Sequence, residues 1–141
     1  MKTVPILFYT DDDADDLMIF EVAATAAGAE TCLFEDGDLL LRNLNDLPLP
    51  DIVFVDLNMP KKSGYEIISE MKSSDRLKGI PIVILSTASD AQNIQKCKKV
   101  GANYYITKPT SMDQLKSAIA HAMKIDWNTF RPSEKEFVHS N

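Results

Sequence analysis

Four apolar runs in this 141-residue chain end in side chains that could do chemistry. Ile6-Leu7-Phe8-Tyr9 is followed, after Thr10, by Asp11 and Asp12. Val53-Phe54-Val55 stops at Asp56 and breaks at Pro60 and Gly64. Ile82-Val83-Ile84-Leu85 ends in the hydroxyls Ser86 and Thr87, and Tyr104-Tyr105-Ile106 ends in Thr107-Lys108-Pro109. If each run is a strand of an open parallel sheet, all four ends lie along one edge, where such sheets bind ligands. Three carboxylates, a hydroxyl and a lysine gathered there suit metal-assisted phosphoryl chemistry.

Carboxylates clustered without counter-charge repel and raise one another's proton affinity. A hard divalent cation resolves that conflict, and Mg²⁺ suits a site with few carboxylates, several waters and a phosphate. An EF-hand calcium loop does not fit. That pattern wants glycine sixth and glutamate twelfth, and counting from Asp11 finds Asp16 and Val22. Asp13, Asp15 and Asp16 instead suit the first turn of a helix, where negative charge meets the positive end of the macrodipole. The five glycines form no phosphate-cradling cluster, which argues against a P-loop, a dinucleotide loop and nucleotide binding. Neither His121 nor His139 follows a strand, so no Ser/His/Asp arrangement can be read.

The elements that must position these residues alternate along the chain. Strands are expected at residues 4–9, 31–35, 51–57, 81–85 and 103–106. Helices are expected at 14–27, 38–47, 64–74 and 90–100, with a last helix capped by Ser111. Leu17, Phe20, Ala24 and Ala27 recur at helical spacing, as do Leu115, Ala118, Ile119 and Ala122. Gly28 and Gly101 stop helices, and Pro48 and Pro50 end another. Strands alternating with helices imply βαβ units, and right-handed crossovers place helices on both sides. The expected fold is α/β: a doubly wound five-stranded parallel sheet in the flavodoxin-like order 2-1-3-4-5, with helices on both faces.

Composition narrows the function. The apolar fraction of 45% and charged fraction of 26% belong to an ordinary soluble protein. A net charge of −6 argues against nucleic acid and against anionic membrane surfaces. No apolar stretch is long enough to span a bilayer, and the start lacks a signal peptide's apolar region, so a cytoplasmic location is the default. Cys32 and Cys97 have no metal-like spacing and are expected as reduced core or near-core thiols. His121 belongs on a solvated or partner-facing helix surface and His139 in a polar tail, with no common site. Residues 1–125 are expected to form one domain. Residues 126–141 form a partly ordered tail, with Trp127 and Phe130 packed on the domain or on a dimer mate and the last several residues mobile.

Taken in register, the chemical positions resemble the receiver domains of response regulators in two-component signalling, over about residues 4–124. Thr10-Asp11-Asp12-Asp13 resembles the acidic pocket after the first strand. Asp56-Leu57-Asn58-Met59-Pro60, followed by Gly64, resembles the phosphoacceptor segment and its turn. Ser86 stands where the family has Ser or Thr, Tyr105 at its aromatic switch position, and Lys108-Pro109 at its Lys-Pro pair. The resemblance implies that Asp56 accepts phosphate. It implies a Mg²⁺ held directly by Asp12 and Asp56, through water by Asp11, and by the backbone carbonyl of Asn58. It further implies that Ser86 hydrogen-bonds the phosphoryl group, that Lys108 pairs with one of its oxygens, and that Tyr105 carries the state to the surface. The chain departs from the pattern at Thr10, where an apolar residue is usual, and at Thr110, where an aromatic is common.

The implied donor is a phosphohistidine on a histidine kinase or phosphotransfer protein. Such a domain is not an enzyme but an acceptor that promotes its own phosphorylation and dephosphorylation. No output domain is attached, so output is expected through contact with another protein. The expected surface carries Lys96, Lys98, Lys99, Tyr105, Lys116 and His121, and would bind a partner or form a homodimer through the last helix. Two other classes compete: a receiver-like binding module that works without phosphate, and an aspartyl phosphatase of the haloacid-dehalogenase type using Asp11 and Asp13. The latter lacks its cap domain, and Asp15 stands where Thr or Val is usual.

Overall fold

The computed structural model describes residues 4–46 and 48–140. Five strands, β1 (Ile6–Thr10), β2 (Glu30–Phe34), β3 (Ile52–Val55), β4 (Ile82–Ser86) and β5 (Tyr104–Thr107), alternate with five helices. These are α1 (Ala14–Ala26), α2 (Gly37–Asn43), α3 (Gly64–Lys72), α4 (Ala91–Val100) and α5 (Met112–Lys124). All pairings are parallel, in the order β2-β1-β3-β4-β5 that the sequence predicts.

Alternation along the strands sorts the core into two layers. Leu7, Tyr9, Phe54, Leu85, Tyr104 and Ile106 pack with Phe20 and Ala23 of α1 and with Ala118 and Ile119 of α5. Phe8, Val53, Val55, Ile84 and Tyr105 pack with Leu40 of α2, Ile67 and Met71 of α3 and Cys97 of α4. β3 and β4 are buried at every position, as strands covered on both faces must be.

Every helix starts after an Asp or Ser whose side chain accepts a backbone N–H. Asp13 serves α1 in this way, so the acidic run both caps the helix and charges its first turn. α2 ends at Asn43, short of the expected residue 47. Tight turns close it, with Asn45 N–H donating to Arg42 O and Asp46 N–H to Asn43 O, both at 3.2 Å. Leu47 itself, and Met1 to Thr3, lie outside the described residues. Cys97 is buried as expected, but Cys32 is exposed, because β2 is an edge strand with an open outer face. Among the described residues no helix is long and apolar enough to cross a membrane.

The tail meets expectation at Trp127 and Phe130 and departs from it farther on. Trp127 and Phe130 pack on the α1–α5 layer beside Tyr104. The chain then crosses the outer edge of β5. A four-residue helix, α6 (Glu134–Phe137), is closed by a capping box between Ser133 and Glu136 and delivers Phe137 into the opposite layer. Val138 makes a parallel bridge with Tyr105. Residues 137–139 are therefore docked rather than loose. The His121 and His139 rings, expected to be unrelated, lie 5.2 Å apart.

Candidate functional site

Strand register builds the acidic pocket. Thr10 pairs with Val55, so Asp11 and Asp56 follow on neighbouring strands. Asp56 N–H donates to Thr10 O and Asp11 N–H to Phe34 O, both at 3.1 Å, which extends the ladder to the two acids. Lys108 N–H donates to Ser86 O at 2.8 Å and fixes the fourth and fifth strand ends together. Carboxylate oxygens of Asp11, Asp12 and Asp56 fall within 4.8 Å of one another. Asp11 and Asp56 are buried and Asp12 is exposed. Hard oxygen donors with one side open to water match what Mg²⁺ requires.

Among the described residues, one cation faces these acids. Lys108 Nζ lies 2.8 Å from Asp11 Oδ2, 2.8 Å from Asp16 Oδ2 and 3.9 Å from Asp56 Oδ2. Burial alone would lower the ammonium pKa. Hydrogen bonds to Asp11 and Asp16 outweigh it and hold the pKa above the usual lysine value. Burial pushes the Asp56 carboxyl up to about 6. Lys108 opposes that rise, Asp11 adds to it, and backbone hydrogen bonds from Asn58 and Leu57 pull it back. The structure thus brings together Asp11, Asp12, Asp56 and Lys108, with Asn58 exposed on the loop directly after Asp56.

Two contacts at the pocket are not legible in the sequence pattern. Tyr9 OH donates to Asp11 Oδ2 at 2.5 Å, the same oxygen that meets Lys108. A fully buried tyrosine needs a partner for its hydroxyl, and that rule is the signal that could have found it. Asp16 reads as helix-terminal charge, yet its partner lies 92 residues away and only the topology brings them together. Thr10, the unusual polar residue before the acids, donates to Met59 Sδ at 3.7 Å and ties β1 to the loop after β3.

Gly64 keeps that loop in place by having no side chain. A Cβ there would sit 2.7 Å from the carbonyl oxygen of Asp56 and 3.0 Å from Leu57 Cα. Its N–H donates to Leu57 O at 3.2 Å. Farther along the edge, Ser86 Oγ accepts from Ala88 N–H at 3.3 Å, and Tyr105 OH donates to Ala88 O at 2.5 Å. Ser86 and Tyr105 are both buried, one at a strand end and the other within β5.

With this geometry in view, comparisons with known proteins are informative. Residues 7–120 match the profile of the response regulator receiver domain family. Response regulator Rcp1 of Synechocystis sp. is 31% identical over 117 residues, which cover 78% of this chain and 80% of that protein. The crystal structure of the phosphorylated cyanobacterial phytochrome response regulator RcpA superposes with a TM-score of 0.78 at 28% identity, covering 90% of this chain and 96% of that one. The Mn²⁺-bound form of Rcp1 shares the fold, with a TM-score of 0.74 at 23% identity over 92% of this chain and 99% of that one. The order of the strands, the three acids at their ends and the span of the match lead to one assignment: this chain belongs to the receiver domains of response regulators in two-component signalling.

Proposed function

We propose that the chain is a phosphoacceptor response regulator, with residues 1–125 as receiver and residues 126–141 as a tail that docks on it. Asp56 is the acceptor. The observation that carries this reading is a buried carboxylate at a strand end, converging with Asp11, Asp12 and Lys108. A structural carboxylate placed there would only add repulsion, whereas a nucleophile needs that position.

The donor is a phosphohistidine on a histidine kinase or phosphotransfer protein. An Asp56 carboxylate oxygen attacks phosphorus in line, the P–N bond breaks, and its electron pair leaves with the imidazole. With a pKa near 6, Asp56 is mostly ionised at neutral pH and ready to attack. Asp11, Asp12, Asp56 and the Asn58 carbonyl are the residues that would hold Mg²⁺, which when bound neutralises charge on the transferring group. Lys108 supplies the protein's own positive charge. It is poised 3.9 Å from Asp56 and anchored meanwhile by Asp11 and Asp16. Ser86 turns its hydroxyl to the new phosphoryl oxygens. Tyr105, bonded to Ala88 beside it, carries the change to the surface.

Intact-mass spectrometry with acetyl phosphate tests the proposal. Wild type should gain one phosphoryl group with Mg²⁺ and none without it, and Asp56→Asn should gain none. An adduct that persists on Asp56→Asn would move the acceptor elsewhere. No adduct on wild type would favour a phosphate-independent binding module, and continuous turnover a phosphatase.

A further inference from the structure

The docked tail closes the surface on which output is expected. The His139 N–H donates to the Tyr105 carbonyl at 2.8 Å, so the tail takes up a backbone acceptor on the otherwise open edge of β5. Phe137 is 1% exposed, and its ring centre lies 6.4 Å from that of Tyr105. Lys98 of α4 donates to the Pro132 carbonyl at 3.2 Å and lies 5.8 Å over the Phe137 ring. On the α5 side, Tyr104 OH hydrogen-bonds His139 Nδ1 at 2.9 Å. Lys98, Tyr105 and His121, three residues of the expected partner face, are all engaged by the tail.

Tyr105 connects this cover to the acceptor site through Ala88 and Ser86. We propose that residues 131–139 are a strap that closes the β5 edge in the unphosphorylated chain, and that phosphorylation of Asp56 loosens it. The proposal rests on the phosphoacceptor reading. When Ser86 turns to the phosphoryl group, Ala88 N–H loses its acceptor, and the Tyr105 hydroxyl loses a fixed carbonyl. The Tyr105 ring is then free to leave the position against which Phe137 packs. Release bares the β5 edge, to which an extended segment of a partner protein can add.

Coupling between two sites is reciprocal. If phosphorylation weakens the strap, weakening the strap must favour phosphorylation. The test uses the 141-residue chain as wild type, Phe137→Ala and Phe137→Leu, each with Mg²⁺ and limiting acetyl phosphate. NMR follows exchange of the His139 amide, and intact mass follows the adduct. In wild type, phosphorylation should speed that exchange by about tenfold or more, within the usual range of coupling. Phe137→Ala should exchange fast without any phosphodonor and carry a larger adduct fraction than wild type, with Phe137→Leu between them. Adduct on wild type with unchanged His139 exchange overturns the strap and leaves the acceptor reading standing. Fast exchange in Phe137→Ala with an unchanged adduct fraction overturns the coupling, and the proposal with it. Absence of adduct from all three chains overturns both readings.

Discussion

The carboxyl end of the sheet and its β5 edge are built on opposite terms. At the carboxyl end, Asp11 and Asp56 are buried beside each other, and folding works against their repulsion. One lysine, a tyrosine hydroxyl and backbone N–H groups contain the charge without cancelling it. At the β5 edge, an open backbone and two apolar layers are covered by the chain's own tail through a bridge and apolar packing. On the proposed function, the contrast separates residues kept for chemistry from residues kept for stability. Substitutions at the two places should therefore move stability in opposite directions.

The largest effect is expected at the exposed acid. Asp12→Ala removes a proposed Mg²⁺ ligand that is exposed and is not the cap of α1. Mg²⁺ binding measured by calorimetry should vanish while the far-ultraviolet dichroism stays that of wild type. Retained binding heat would remove Asp12 from the metal site and weaken the contrast at its root.

Next comes the opposite region. Phe137→Ala should lower stability by about 3 kcal/mol, the usual cost of truncating a buried phenylalanine. The loss is bounded by what the tail's docking contributes. A urea midpoint equal to that of wild type would show that the β5 edge does not depend on its cover.

Asp56→Asn should act with the other sign. The Asp56 pKa rises from 3.8 to about 6 on folding, so the folded chain favours the protonated form. That contribution is fully present below pH 3.8 and is lost as pH climbs through 6. Asparagine does not titrate. With EDTA present, the variant should therefore gain on wild type between these pH values and stay ahead by about 3 kcal/mol above pH 7. A difference that does not change with pH would mean that the buried charge carries no cost.

The smallest effect returns to the tail. Ser133→Ala breaks the capping box of α6 and should cost about 1 kcal/mol or less of docking. The change should appear as faster His139 amide exchange with little shift in the global melt. A lowered global melt of several degrees would mean that α6 is part of the main cooperative unit.

Strand order and the two-layer core were legible because apolar runs of strand length alternated with helical spacing, and the crossover rule left few topologies. The acids and Lys108 were legible for a related reason: each follows an apolar run, so topology alone gathers them, and Ser86 ends another run farther along the same edge. Asp16 was not, because its partner Lys108 lies 92 residues away and only the topology brings them together; the Tyr9–Asp11 contact joins two residues two apart along the β1 run and was overlooked. The docking of residues 137–139 was hidden by composition. Ser133-Glu134-Lys135-Glu136 looks like a solvated stretch, and α6 is too short to show a period. The spacing of Ser133 and Glu136 was the available sign, since it fits a capping box before an aromatic. The mistaken separation of His121 and His139 has the same origin, because it treated the tail as free of the sheet.

Tyr104 and Tyr105 are neighbours in the chain but point into different layers, and the tail touches both. The tail thus has two grips, Trp127 with Phe130 on one side and Phe137 with Val138 on the other, joined by the six residues 131–136. Such a short tether keeps the second grip at a local concentration on the order of millimolar near its seat. An untethered segment in solution must outcompete that resident to take the edge. While the tail is seated, a weak or scarce binder of that edge would be outcompeted, and a strong or abundant one would not.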